Sequence, residues 1–259
     1  MKLTNNTILI TGGASGLGYE FATQLVALGN SVIITGRDQA KLDQAKQRLP
    51  GLHTFQSDVS QPEAIVQLYQ QVTRQFPMLN VLINNAGEMR KLNLNDPDFD
   101  LMNLTREIDI NLSGPIRMVQ QFLPHLKQQS TAAILNVSSG LAFVAFPLSP
   151  IYGATKSGLH SYSQSLRVQL KQTNVRVFEL IAPAASTPMN DKFLAVDGFD
   201  AGSMMAPEMI VAAALHGMKK DQPEIYPGIA QILKLMSRIA PSFLLKQTSK
   251  VGASFINGN

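Results

Sequence analysis

The chain has 259 residues, 45% hydrophobic and only 15% charged, with a formal net charge of +4. Cysteine is absent, which excludes disulfides, thiol nucleophiles and thiolate metal sites. The four histidines (His53, His125, His160, His216) lack HExxH-like spacing, and no dense basic stripe or finger pattern appears, so neither a zinc centre nor nucleic-acid binding is expected.

The opening MKLTNNTILI runs straight into a strand, Thr7 to Thr11, without the apolar run and cleavage site of a secretory signal. A cytoplasmic location is therefore expected. A glycine-rich turn and a helix from Gly16 to Leu28 follow, then a strand from Ser31 to Thr35, a helix from Asp38 to Leu49 and a short strand from Leu52 to Gln56. The next helix is expected from Gln61 to Phe76, with Ser60 as its cap and Pro62 in its first turn. Strands at Asn80–Asn84 and Ala132–Val137 flank one long predicted helix, Phe99 to Leu126, bent near Gly114 and Pro115. Ala132 to Leu148 is strongly apolar, but Asn136, Ser138, Ser139 and Gly140 interrupt it and it falls short of the roughly 20 residues a membrane span needs.

A helix from Tyr152 to Gln172 and a strand from Val175 to Leu180 continue the rhythm, which returns later with a helix from Pro207 to Met218 and a strand from Glu224 to Tyr226. Several strands are continuous apolar runs, as expected when helices cover both faces of a parallel sheet. Repeated strand–helix units of this length predict a doubly wound α/β fold as one domain over residues 1–259. Residues 184–206 have no clean period and form a candidate substrate lid. Met189, Met204, Met205 and Met209 are candidates for an adaptable wall there.

The C-terminal extension, 228–259, carries an apolar stripe with Lys234, Arg238, Lys246 and Lys250, interrupted by Pro241. Packing against the domain or a second subunit is the expected use, with peripheral contact to an anionic membrane the lesser alternative.

The first strand ends in TGGASGLG, Thr11 to Gly18. Glycines at Gly12, Gly16 and Gly18 let the backbone approach a diphosphate, with the helix amides facing it; Ser15 and Leu17 complete this candidate cofactor turn. At the end of the second strand Gly36 takes the place of the usual acidic residue, and Arg37 follows. A carboxylate would bind a ribose diol and repel a 2′-phosphate, whereas arginine favours the phosphate. NADP(H) is therefore expected over NAD(H), with Asp38 capping the next helix.

Tyr152 and Lys156 lie four apart, on one helical face. A phenol with a pKa near 10 is a poor base, and the neighbouring ammonium is expected to lower it. Ser139 lies after the fifth strand, where its hydroxyl could donate to a substrate oxygen as charge develops; Ser138 is expected to face the other way.

Together these segments resemble the short-chain dehydrogenase/reductase family over nearly the whole chain: Thr11 to Gly18, Asp58 and Val59, Asn84 to Gly87, Asn111, Ser139, Tyr152 to Lys156, and Thr187. The resemblance implies a single Rossmann-like domain with seven parallel strands in the order 3-2-1-4-5-6-7. It also implies NAD(P)-dependent interconversion of a small-molecule carbonyl and alcohol, with catalytic residues Asn111, Ser139, Tyr152 and Lys156. Asp58 and Val59 would meet the adenine, and Asn85, Ala86 and Gly87 would pass near the adenosine ribose. Thr187 would lie near the carboxamide, Lys156 would reach the nicotinamide ribose, and Asn111 would hold a relay water through Lys156. Where the family has Pro-Gly after its sixth strand, this chain has Ala182-Pro183. A homodimer or homotetramer pairing the two long helices is implied as well. The opening six residues, Ser138 to Phe143 and Phe178 to Pro183 are similar to a bacterial subfamily encoded with the enzymes of lipoteichoic-acid D-alanylation.

Overall fold

A computed structural model describes residues 1–97 and 100–258. Seven parallel strands form one sheet in the order β3-β2-β1-β4-β5-β6-β7. They are β1 (Thr7–Thr11), β2 (Ser31–Gly36), β3 (Leu52–Gln56), β4 (Leu79–Asn84), β5 (Ala132–Ser139), β6 (Val175–Ala182) and β7 (Glu224–Ile225). The order reverses between β1 and β4, so a crevice opens at the carboxyl ends of the central strands.

Each central strand is buried on both faces because helices cover both. On one side α1 (Gly16–Ala27), α2 (Gln39–Arg48) and α8 (Pro207–Lys219) enclose Ile8, Ile10, Ile34 and Leu180. On the other, α3 (Pro62–Gln75), α6 (Gly114–Leu126) and α7 (Pro150–Gln169) enclose Leu9, Ile33, Leu82 and Ile134. Truncating any one of these side chains to alanine costs about 2–5 kcal/mol, so the alternating runs of Ile and Leu hold the sheet between its helices.

The segment after β4 departs from the single helix expected from Phe99 to Leu126. Its first residue, Phe99, lies outside the described residues. Two short turns, α4 (Leu101–Leu104) and α5 (Arg106–Ile108), lead into a π-helical turn, Asp109–Ser113, and then α6. Pro115 has no N–H to give the carbonyl four residues back, at Asn111, and the wider turn sits at that break. Ser60 does not cap α3 either. Asp58 Oδ1 instead accepts from the Ser60 amide at 2.9 Å and its hydroxyl at 2.8 Å, and Gln61 is the first non-helical residue. Asp38 does cap α2, accepting from the Lys41 amide at 3.2 Å.

Residues 184–206 leave and return at one point. Ala185 and Met205 form a parallel bridge, the Met205 amide donates to the Ala184 carbonyl at 2.8 Å, and the Ser186 amide to the Met205 carbonyl at 3.0 Å. Phe193 is buried within the excursion beside Phe146 and Phe199. Beyond β7 the chain forms α9 (Ala230–Ile239), α10 (Pro241–Thr248) and α11 (Ala253–Asn257). Pro241 ends the first helix as expected. The Gly252 amide donates to the Asp197 carbonyl at 2.9 Å and the Ser254 hydroxyl to the Asp197 carboxylate at 2.6 Å, which ties the chain's last helix to the excursion. Among the described residues no helix is long and apolar enough to cross a membrane.

Candidate active site

Two adjoining cavities share Gly12, Ala86 and Gly87 in their walls. The larger, of about 490 Å³, contains Ser139, Tyr152 and Lys156 together with Ser15, Gly16, Leu17, Asn85 and Thr187. The smaller, of about 150 Å³, lies between Arg37, Asp58 and Val59. Of the sequence candidates, Gly18 and Asn111 stand behind the walls.

The glycine turn is built for a ligand that approaches backbone. Gly12 has φ +65°, and a Cβ there would stand 2.8 Å from the Ala86 Cα; at Gly18 it would stand 2.3 Å from the Gly12 carbonyl oxygen. Thr11 Oγ1 accepts from the amides of Asn85 and Ala86, both at 3.0 Å, while the Asn85 side-chain amide donates to the carbonyls of Thr11 and Gly12, also at 3.0 Å. These bonds lock β4 to the turn. Ser15 precedes α1 yet makes no capping bond, so its hydroxyl faces the cavity uncommitted to the helix. With the N-terminus of α1 beside it, this donor set fits a diphosphate, and the two chambers on either side fit the halves of a dinucleotide.

In the second chamber Arg37 is exposed at the end of β2, with its carbonyl held by the Gln56 side chain at 2.9 Å. Asp38 is engaged by the α2 amide and by Lys41. A carboxylate is therefore absent from the position that would repel a phosphate.

At the other end, α7 carries Tyr152 and Lys156 inward on one face; Tyr152 is 8% exposed and Lys156 4%. Burial pushes the Tyr152 phenol up to about 12, although its hydrogen bond with Ser139 acts the other way; the Glu107 charge adds to the rise. This corrects the expectation of a lowered phenol. The ring packs against Met89, Phe146, Leu148 and Phe193, and desolvation outweighs any help from the lysine. Lys156 Nζ donates to the Val137 carbonyl at 2.9 Å and lies 5.5 Å from the centre of the Tyr152 ring. Burial lowers its ammonium to about 8, against the opposing charge of Glu179.

Ser139 Oγ accepts from the Leu141 amide at 3.2 Å, and its single proton is directed to the Tyr152 side, where it opposes the rise of the phenol. Ser138 also borders the cavity, but its hydroxyl is buried without a partner among the described residues. Asn111 is fully buried. Its side chain accepts from the Glu88 amide at 2.8 Å and donates to the Glu88 carbonyl at 2.7 Å and to Thr155 Oγ1 at 3.2 Å. It thus braces α7 next to Lys156 and makes no direct bond to that lysine.

The sequence did not single out the apolar walls, formed by Met89, Phe146, Phe199, Leu233 and Val251 among others. Of the four methionines proposed as a wall only Met189 reaches the cavity, while Met209 points to solvent. Hydrophobic residues scattered over five elements carry no local signal that they converge.

A crevice at the strand-order reversal, a glycine turn beneath it and a buried Ser-Tyr-Lys group define a dinucleotide-dependent oxidoreductase. The short chain dehydrogenase family model matches residues 6–196, and the chain belongs to that family of NAD(P)-dependent oxidoreductases. It is 42% identical over 225 residues to the uncharacterized oxidoreductase DltE of Bacillus subtilis (strain 168), covering 87% of this chain and 89% of that relative. Two solved structures share the fold, each with a TM-score of 0.81. One is a short-chain dehydrogenase from Burkholderia cenocepacia J2315 in complex with NADP, 23% identical and covering 96% of this chain and 99% of that one. The other, from Burkholderia phymatum in complex with NAD, is 19% identical and covers 92% and 95%.

Proposed function

We propose that the protein is an NADPH-preferring reductase of a neutral, apolar carbonyl compound. The observation that carries this reading is the buried Tyr152, paired with the half-buried Ser139, opening onto a cavity whose charged lining among the described residues is confined to Lys156 and Asp200. A dinucleotide held by its diphosphate at the glycine turn would supply the hydride from its reduced nicotinamide. Tyr152, with its phenol held near 12, keeps its proton through the neutral range and donates it to the carbonyl oxygen. Ser139, bonded to Tyr152 while no substrate is present, turns its proton to the same oxygen, where negative charge grows. Lys156 holds positive charge beside the reacting oxygen and donates to the cofactor's ribose, while Thr187 faces the glycine turn. Asp58 and Val59 flank the adenine, and Arg37 takes the 2′-phosphate. Residues 184–206 act as the lid, with Met189 and Phe199 on its inner side.

The test is a fluorescence titration with NADPH and NADH, followed by NADPH consumption over a panel of apolar ketones and aldehydes. Tighter NADPH binding is expected, with Arg37→Ala losing the preference by about tenfold or more, as one charged hydrogen bond to phosphate is worth ~1.5–3 kcal/mol. Equal affinities unaffected by that substitution overturn the cofactor assignment, and cofactor binding without turnover on any carbonyl would instead favour an accessory role.

A further inference from the structure

One buried charge plays no part in the chemistry above. Glu179, in the middle of β6, is 0% exposed. Its carboxylate meets His160 Nδ1, at 2.9 and 3.1 Å for the two oxygens. His160 stands one turn after Lys156 on α7, so the two share a face.

Glu179 belongs to a polar row across the sheet. Asn84, Asn136, Glu179 and Glu224 occupy matched positions on β4, β5, β6 and β7. Asn84 Nδ2 donates to Asn136 Oδ1 at 2.9 Å, and Asn136 Nδ2 to Ser163 Oγ of α7 at 2.9 Å. Glu224 receives Gln164 Nε2 of α7 at 3.2 Å. One residue further along β5 is Val137, whose carbonyl takes the Lys156 ammonium. The row therefore fixes the height of α7 over the sheet one step below the catalytic level.

We infer that Glu179, held by His160, is a positioning residue for Lys156: its buried carboxylate keeps the lysine charged and aimed at the end of β5. The inference rests on the proposed role of Lys156. An ammonium that is almost wholly buried must be compensated, and one carbonyl supplies a dipole but no charge. Among the described residues no carboxylate forms an ion pair with Lys156, and Glu179 is the acid whose charge opposes its desolvation. The titratable groups that face this lysine are Tyr152, whose ring centre lies 5.5 Å from its ammonium, and Glu179 of β6; His160 on the same face of α7 bonds Glu179, and Glu107 acts on Tyr152.

His160 is fixed in turn. Its ring stands edge-on to Phe143 at 4.8 Å, and its other nitrogen lies 3.2 Å from Gln164 Nε2. Removing the Glu179 charge disfavours the charged form of Lys156, so the lysine should lose its proton at lower pH.

The direct readout is the side-chain titration of isotopically labelled lysine by NMR in the cofactor-free protein, with Lys156→Met identifying the resonance. Glu179→Gln should move the Lys156 titration down by about 1 pH unit, the size expected for one opposing charge nearby. The alkaline limb of kcat in the holoenzyme should move the same way, a change that loosened packing alone would not produce. An unmoved Lys156 titration overturns the inference. A moved titration with an unmoved rate profile supports it and removes Lys156 from the proposed chemistry instead. Should Glu179→Gln fail to fold, His160→Leu takes its place. That variant removes the ring that holds the Glu179 carboxylate in place and should shift the Lys156 titration in the same direction; no shift there overturns the inference equally.

Discussion

On the proposed reading Tyr152 serves as an acid because it is poorly solvated. Ionising a phenol among Met89, Phe146 and Phe193 leaves a charge with little water, so the proton stays until a substrate oxygen asks for it. Tyr152→Phe keeps the ring and its packing and removes only the hydroxyl. Turnover on an identified carbonyl should fall by about 10²–10⁴-fold, the usual worth of a positioned proton donor, while cofactor affinity stays within a factor of a few. Steady-state rates beside a fluorescence titration check both halves, and undiminished turnover would remove Tyr152 from the chemistry. Spacing put Tyr152 and Lys156 on one face and the family resemblance added Ser139, but the sign of the Tyr152 shift was not legible. A helical wheel shows that lysine and tyrosine share a face, yet it carries no information about how much water the ring retains.

At the scale of elements, the glycine turn was readable because its residues are contiguous and each has a local steric reason. Gly18 shows how strict that reason is. An alanine there would press its Cβ to 2.3 Å from a backbone oxygen and 2.4 Å from Asn85 Nδ2, with no flexible side-chain end to yield at the oxygen. Gly18→Ala should cost about 1–3 kcal/mol in urea unfolding, in the range of other overpacked sites, and should abolish measurable dinucleotide binding. Wild-type affinity in that variant would mean that the turn does not seat the cofactor. The strands and most helix limits were equally legible, since continuous Ile and Leu runs have few places to go in a parallel sheet, whereas the strand order came only with the family resemblance. The π-helical turn at Asp109–Ser113 was not, because a single proline suggests a bend without saying where the ladder widens.

The whole molecule depends on how its last helices are fastened across the site. Leu233 of α9 sits 3.0 Å from where a Cβ on Gly140 would lie, so this helix closes the cavity beside Ser139. Its anchor is Lys234, which donates to Glu224 at 2.8 Å and also meets Tyr226, with its ammonium 5.7 Å from the Phe143 ring centre. Burial pushes Glu224 up, but the hydrogen bonds from Lys234, Tyr226 and Gln164 prevail and hold it at about 2, below its ordinary 4.5. A carboxyl depressed on folding stabilises above its unfolded value and loses that contribution as pH falls through the folded one. Docking of α9 should therefore weaken as pH drops from 4.5 toward 2, seen as faster hydrogen exchange in residues 230–239 relative to the sheet. Glu224→Gln should abolish that pH dependence; a profile that survives the substitution would place the anchor elsewhere.

The excursion over residues 184–206 has a different kind of consequence. Its two ends meet at Ala185 and Met205, so everything between them hangs from one closed joint on the body. Among the described residues Asp197 bonds its far side to the start of the chain's last helix, through Gly252 and Ser254, and Gly198 packs against Lys250 and Val251. Such a loop is a natural unit of exchange: a segment from a relative can be spliced between the same two residues without re-registering a single strand. On the proposed reading, Met189 and Phe199 could be exchanged with this loop while the Ser-Tyr-Lys group stays in place, provided Thr187, which faces the glycine turn, is kept.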